Sequence, residues 1–159
     1  MSKIDVDSTI RDVEAGRLPG WIADHLRIYE ESGGKQGHMW DSTAAGGNGL
    51  LPCLLLHTRG RRSGRELTHP LIYGVDGDNF IIVASKGGAD TQPGWYFNLI
   101  AEPNARVQVG TETIDVTARV LEGDERARIW KQMEALFPPY TSYQAKTSRQ
   151  IPLFALERR

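Results

Sequence analysis

Cysteine is nearly absent from this chain. Cys53 stands alone, so no internal disulfide can form, which fits a reducing compartment. Net charge is nearly absent too, at −1. No overall basic field recommends nucleic acid as a partner, and any anion site has to be local. The longest apolar run, near Leu50 to Leu56, is far too short to span a bilayer. The first twenty residues lack the apolar stretch of a signal peptide. These absences lead us to expect a cytoplasmic protein. His25, His38, His57 and His69 show no metal-ligand spacing, so no metal is expected. The chain lacks the Gly-Lys-Ser/Thr ending of a phosphate-binding P-loop. Ser63 sits in G-x-x-S-G, not in a hydrolase elbow. Cys53 lies inside an apolar run and reads as a buried core thiol rather than a nucleophile.

What remains is ordinary globular material. The chain has 159 residues, 40% apolar and 25% charged, enough for one hydrophobic core. Residues 1–20 read as a loosely ordered arm. Trp21, Ile22, His25, Leu26, Ile28 and Tyr29 share one helical face, predicting a helix over 21–31. Ser32 to Gly49 is Gly-rich and reads as a loop. From Leu50 the texture becomes β. Strands are predicted from Leu50 to Thr58, Thr68 to Val75, Phe80 to Ala84 and Arg106 to Val109, with Asp76-Gly77 and Gly110-Thr111 as turns. In the next strand Ile114, Val116, Ala118 and Val120 alternate against polar residues. Trp95 to Ala101 reads as a short helix. A longer one opens at Gly123, shows an apolar face of Ala127, Trp130, Met133, Leu136 and Phe137, and stops at Pro138-Pro139. Leu153, Phe154 and Leu156 suit a last strand. Five or six mostly antiparallel strands with a few helices predict a small barrel with helices packed outside. Residues 1–49 then form an N-terminal arm, helix and loop, and residues 50–159 the barrel domain.

Two loops carry the chemistry. Loop A, Arg59-Gly60-Arg61-Arg62-Ser63-Gly64-Arg65, has four arginines spaced by two glycines. Loop B, Ser85-Lys86-Gly87-Gly88, puts a hydroxyl, a cation and two permissive backbone positions directly after a strand. Glycine allows the angles that turn successive N–H groups toward one anion, and arginine adds forked donors for phosphate oxygens. Taken as first and third strands of a meander, the two preceding strands run the same way, with ends about 10 Å apart. Both loops should then leave one rim. Arginines between strands also fit a solvated hairpin tip, and Gly-Gly a plain turn. The conjunction on one rim is what points to an anion cradle.

The ordered set L-L-L-H-T-R-G-R-R-S-G, T-H-P-L-I-Y, V-A-S-K-G-G, P-G-W-Y-F-N-L and F-P-P-Y-T-S-Y-Q, from Leu50 to Leu156, resembles deazaflavin-dependent nitroreductases, also described as F-420-dependent quinone reductases. The resemblance implies an α+β fold, a mainly antiparallel split β-barrel with flanking helices. It implies an oxidoreductase that passes a hydride from reduced coenzyme F-420 to quinones, activated alkenes or nitro-compounds. By the same resemblance, the loop Gly60 to Gly64, with Arg61, Arg62, Ser63 and Gly64, grips the coenzyme phosphate and acidic tail, and Arg65 is counted with it as a neighbouring substitute for the arginine missing at Leu67. Ser85, Lys86 and Gly87 lie against the deazaflavin and its phosphate, joined by Gly88 as the last residue of loop B; Pro70 lines the ring pocket, and Trp95 is a pocket aromatic. Tyr140 and Tyr143 line the substrate side. Arg62 stands where lysine is common, Leu67 where several members carry arginine, Phe137 where tyrosine is frequent and His57 where threonine is frequent.

Ser85, Tyr140 and Tyr143 are the candidate catalytic residues. Ser85 would bond the ring or a substrate oxygen, and a tyrosine would give the second proton. An FMN-binding barrel enzyme and a non-catalytic deazaflavin carrier or sensor are the alternatives. The expected partner is a small-molecule electron acceptor and not nucleic acid. Peripheral membrane contact to reach a lipophilic quinone, and a homodimer, remain open expectations.

Overall fold

The computed structural model describes residues 20–159, with side chains from residue 24 onward. The expected arm over residues 1–20 falls almost wholly outside this range. The sheet elements are β1 (Met39–Asp41), β2 (Leu50–Arg59), β3 (Glu66–Ile72), β4 (Gly74–Asp76), β5 (Asn79–Val83), β6 (Asn104–Val109), β7 (Glu112–Val120) and β8 (Leu153–Arg158). The helices are α1 (Gly20–Glu31), α2 (Gly94–Ala101), α3 (Gly123–Leu136) and α4 (Pro139–Ala145).

Every strand pairing is antiparallel, along the path β2-β6-β7-β8-β5-β4, with β3 on β2. The predicted strand over Thr68 to Val75 is in fact two. β3 pairs with β2, β4 pairs with β5, and only Tyr73 separates them. One bent strand thus joins both ends of the sheet and curls it into a split barrel. The bend is where the chain leaves one partner for the other, a long-range choice that residues 68–75 do not themselves encode. The mixed α+β fold is the one expected.

Strand alternation explains the layers. Leu54 and Leu56 of β2, Phe80 and Ile82 of β5, Val107, Val116, Phe154 and Leu156 point into the barrel. Trp95 and Leu99 of α2 join them and close one end. Leu51, Ile81, Val83, Leu153 and Ala155 point outward and are covered by Ile129, Met133, Phe137 and Tyr140 of the α3–α4 region. Leu26 and Tyr29 of α1 cover Leu55. Because β2 and β5 are covered on both faces, they read as continuous apolar runs. Cys53 is buried, and burial pushes its thiol up to about 12.

Several local expectations change. The 32–49 segment is not all loop: β1 pairs with Leu50, Leu51 and Pro52, and Thr43–Ala45 form a 3-10 turn. Three residues carry too little pattern to be seen without their partner. In α3 the inward face centres on Met133. Ile129 therefore packs inside, while Ala127, about 120° away around the helix, is exposed. Val120 ends its strand and is exposed. Pro138-Pro139 does stop α3, but Pro139 also opens α4, as proline suits a first helical turn. In α1, His25, Leu26 and Tyr29 are buried while Ile28 is exposed; the side chains of Trp21 and Ile22 lie outside the described residues. Among the described residues, no helix is long and apolar enough to cross a membrane.

Candidate functional site: two loops on one rim

Four antiparallel steps separate β2 from β5 along the sheet, so the two strands run in the same direction. Loop A follows β2 and loop B follows β5, and both leave the same end of the barrel. The strand between them is the bent β3–β4 rather than one straight neighbour. α2 bridges the loops. It begins just after loop B, and Arg61 Nη1 of loop A donates to Gly94 O at 3.3 Å and to Asn98 Oδ1 at 3.0 Å. The Arg61 guanidinium also lies 5.0 Å from the Phe97 ring centre.

Loop A is closed by its own backbone. Gly60 N–H donates to Arg65 O at 2.7 Å, and Gly64 N–H to Gly60 O at 2.8 Å. The Ser63 hydroxyl accepts from Arg65 N–H at 3.2 Å. The tip, Arg61 to Arg65, is solvent-exposed. The N–H groups of Arg62 and Ser63 have no acceptor among the described residues. Loop A and loop B together hold five cationic side chains and no acid.

Loop B is a compact bend. Ser85 is right-handed, at φ −78° and ψ −39°, and Lys86, Gly87 and Gly88 follow at φ +46°, +64° and +85°. Lys86 is the one non-glycine residue with positive φ among the described residues, a conformation that costs on the order of 1 kcal/mol. A right-handed residue followed by a left-handed one makes successive N–H groups converge on an anion-sized hollow. Gly88 N–H is used by Ser85 O at 2.9 Å, while the N–H groups of Lys86 and Gly87 have no acceptor among the described residues. The Lys86 ammonium is exposed and donates to Thr91 Oγ1 at 3.2 Å.

α4 presses on this bend. A side-chain carbon at Gly88 would lie 2.7 Å from Tyr143 O, so only glycine lets the two segments meet. Tyr143 is thereby placed beside loop B, half-buried, with its ring 6.2 Å from those of Phe137 and Tyr140. Burial raises its hydroxyl above the ordinary phenol range.

The structure therefore sets Arg61 to Arg65 and Ser85 to Gly88 at the same end of the barrel, with Tyr143 against the second loop. Three other expected residues are held by packing or by the sheet. The Trp95 ring packs in the barrel against Phe154, centres 6.0 Å apart. Tyr140 is buried among Phe137, Trp130 and Tyr143. Pro70 lies in mid-β3 opposite Leu55, partly exposed. Two supports escaped the sequence. Buried Asn98 accepts from both the backbone and the side chain of Arg61 and donates to Thr58 Oγ1. Arg149 binds the backbone of loop B at Ser85 and on both sides of it, at Ala84 and Ala89. Asn98 stands within the P-G-W-Y-F-N-L motif, a usable signal; nothing local marks Arg149.

A model of the F420H(2)-dependent quinone reductase family matches residues 21–158. An F420H(2)-dependent quinone reductase of Mycobacterium tuberculosis is 41% identical over 138 residues, spanning 85% of this chain and 88% of that protein. A solved structure described as an F420-H2 dependent reductase is 44% identical with a TM-score of 0.63, over 67% of this chain and 94% of the other. Another, described as a domain-swapped dimer, is 38% identical with a TM-score of 0.66, over 86% and 97%. On this match, and on the split barrel it accompanies, the chain belongs to the F420H(2)-dependent quinone reductase family.

Proposed function

We propose that this protein is an F-420-dependent oxidoreductase that reduces quinones, activated alkenes or nitro-compounds. The observation that supports the reading is that loops A and B leave the same end of the barrel, with amides at Arg62, Ser63, Lys86 and Gly87 that have no acceptor among the described residues, beside exposed cations. A coenzyme with a phosphate and a carboxylate-bearing tail fits that chemistry, since charge-assisted hydrogen bonds from amides and guanidinium groups are the strong ones. Family membership supports the choice of deazaflavin over FMN.

When bound, the reduced coenzyme supplies the hydride; position and field come from the protein. Arg62, Ser63, Gly64 and Arg65 receive the acidic tail, with Arg61 held in place by Asn98. Lys86, Gly87 and Gly88 receive the phosphate end. The Ser85 hydroxyl, which makes no capping bond to its own turn, steadies negative charge growing on the acceptor oxygen. Tyr143 keeps its proton at neutral pH and delivers it from Oη. Tyr140 supports Tyr143 through ring packing, and Trp95 and Pro70 are assigned to the side of the coenzyme ring. The homodimer expectation draws support from the relative described as a domain-swapped dimer. A cytoplasmic location completes the reading.

Titrations with F-420 and with FMN, followed by fluorescence, test it, together with oxidation of the reduced coenzyme by menadione, a cyclohexenone or a nitroaromatic. Tight F-420 binding with turnover is the expected result. Tight FMN binding without F-420 binding would reject the proposal, and F-420 binding without turnover of any acceptor would make the protein a carrier.

A further inference from the structure

We propose that Arg149 is a positioning residue that holds the Ser85–Gly88 bend in its anion-receiving shape and fixes that bend to α4. The link to coenzyme binding rests on the function proposed above; the effect on the bend does not.

Arg149 spends its whole side chain on loop B and the residues just before and after it. Nη2 donates to Ser85 O at 2.9 Å, Nη1 to Ala84 O at 3.3 Å and Nε to Ala89 O at 2.8 Å. Nη1 also donates to Gln92 Oε1 at 2.7 Å. The residue is itself anchored to the end of α4. Gln144 Nε2 donates to Arg149 O at 2.7 Å, and Gln144 Oε1 accepts from Ile151 N–H at 2.9 Å. The bend is therefore clamped to α4 twice, through Arg149 and through the close Gly88–Tyr143 contact.

The consequence follows from the planarity of the peptide. In a trans peptide the C=O and the next N–H point in opposite directions. Arg149 takes the carbonyls of Ala84 and Ser85. The N–H groups of Ser85 and Lys86, in those same peptide units, are thereby turned to the side away from the guanidinium. Neither has an acceptor among the described residues. The clamp thus decides which way the receiving amides face, and it helps hold Lys86 at its unfavourable positive φ. It also neutralises three carbonyl oxygens that would otherwise repel an approaching anion. A guanidinium suits this task, because its fork reaches several acceptors at once and stays charged when partly buried. A lysine in its place reaches fewer.

The test uses the full chain as wild type, Arg149→Lys and Arg149→Met. The probe is inorganic pyrophosphate, followed through the amide NMR signals of Ser85, Lys86 and Gly87. F-420 affinity and thermal midpoints are measured in parallel. In the wild type the three amides shift with pyrophosphate. Arg149→Met abolishes those shifts and weakens F-420 about tenfold or more, and Arg149→Lys recovers part of both. If Arg149→Met is too unstable to assay, Arg149→Lys decides alone, with weakened shifts expected in a folded protein. Wild-type shifts with pyrophosphate but no F-420 binding would remove the coenzyme reading and leave the role of Arg149 standing. The inference is overturned if the wild-type amides ignore pyrophosphate, or if both folded variants respond as the wild type does.

Discussion

The side-chain oxygen of Asn98 accepts twice from Arg61, from its backbone N–H at 3.2 Å and from Nη1 at 3.0 Å. One buried amide thus sets both the start of the arginine loop and the direction of its first guanidinium. The other end of Asn98 is held by Thr58, the next-to-last residue of β2. Asn98→Ala should lower stability by about 1–3 kcal/mol, the cost of leaving buried partners unmet, and weaken coenzyme binding. Asn98→Asp keeps the shared acceptor but places a negative charge behind the loop. We predict weaker coenzyme affinity, with a deficit that shrinks as salt is added. Affinity equal to wild type at low salt would contradict the role given to loop A.

Gly87 and Gly88 are adjacent, and both have positive φ, yet they face different surroundings. A side-chain carbon at Gly87 meets nothing within 4 Å, whereas one at Gly88 meets the Tyr143 backbone. Gly87→Ala should cost about 1–2 kcal/mol for the backbone conformation alone. Gly88→Ala should cost more, because it also drives α4 away, and it should alter acceptor turnover through Tyr143. Equal melting shifts for the two variants would show that the bend and α4 are not tightly packed.

His57 is buried, with Nδ1 2.9 Å from Thr68 Oγ1 and 3.4 Å from Glu66 Oε1. Burial, helped by the nearby Arg106 charge, pushes its imidazole from near 6.5 down to about 4. Between those values the unfolded chain takes up a proton that the folded chain refuses. The stability that neutral His57 provides is therefore fully present above pH 6.5 and is lost as pH falls toward 4, by about 3 kcal/mol. Glu66 acts in the opposite sense. Burial raises its carboxyl, so the folded state holds that proton more firmly and recovers part of the loss. Denaturant midpoints of His57→Gln should fall less steeply across this window than those of wild type. Parallel curves would refute the assignment.

Far from the rim, the hydroxyl of fully buried Tyr29 accepts from Gly110 N–H at 2.7 Å, within reach of Cys53 O at 3.0 Å and Gln108 O at 3.2 Å. It ties α1 to β2 and to the β6–β7 turn, and burial pushes it up to about 12. Tyr29→Phe should cost about 1–3 kcal/mol and lower the melting point by several degrees. Coenzyme affinity well below that temperature should not change, since the turn lies at the opposite end of the barrel from loops A and B.

What was legible in the chain was local. Asp76-Gly77 announced its hairpin because the turn chemistry lies in the two residues themselves. β7 announced itself by alternation, and the two cation-bearing loops by their glycines. The bend at Tyr73 did not show, because β3 and β4 differ in partner rather than in composition. β1 is three residues long and is a strand only because β2 lies beside it. Arg149 was invisible for the same reason: its acceptors in and around loop B lie 57 to 65 residues earlier in the chain. Tyr140 and Tyr143 looked alike in sequence, and only α4 as a helix turns one into the core and sets the other beside Gly88.

Salt-dependent coenzyme binding tests the central claim most directly. We predict that wild-type protein binds F-420 with an affinity that falls as ionic strength rises, and that Arg61→Ala with Arg62→Ala weakens binding strongly and flattens that dependence. A double variant that matches wild type at low salt would contradict the account.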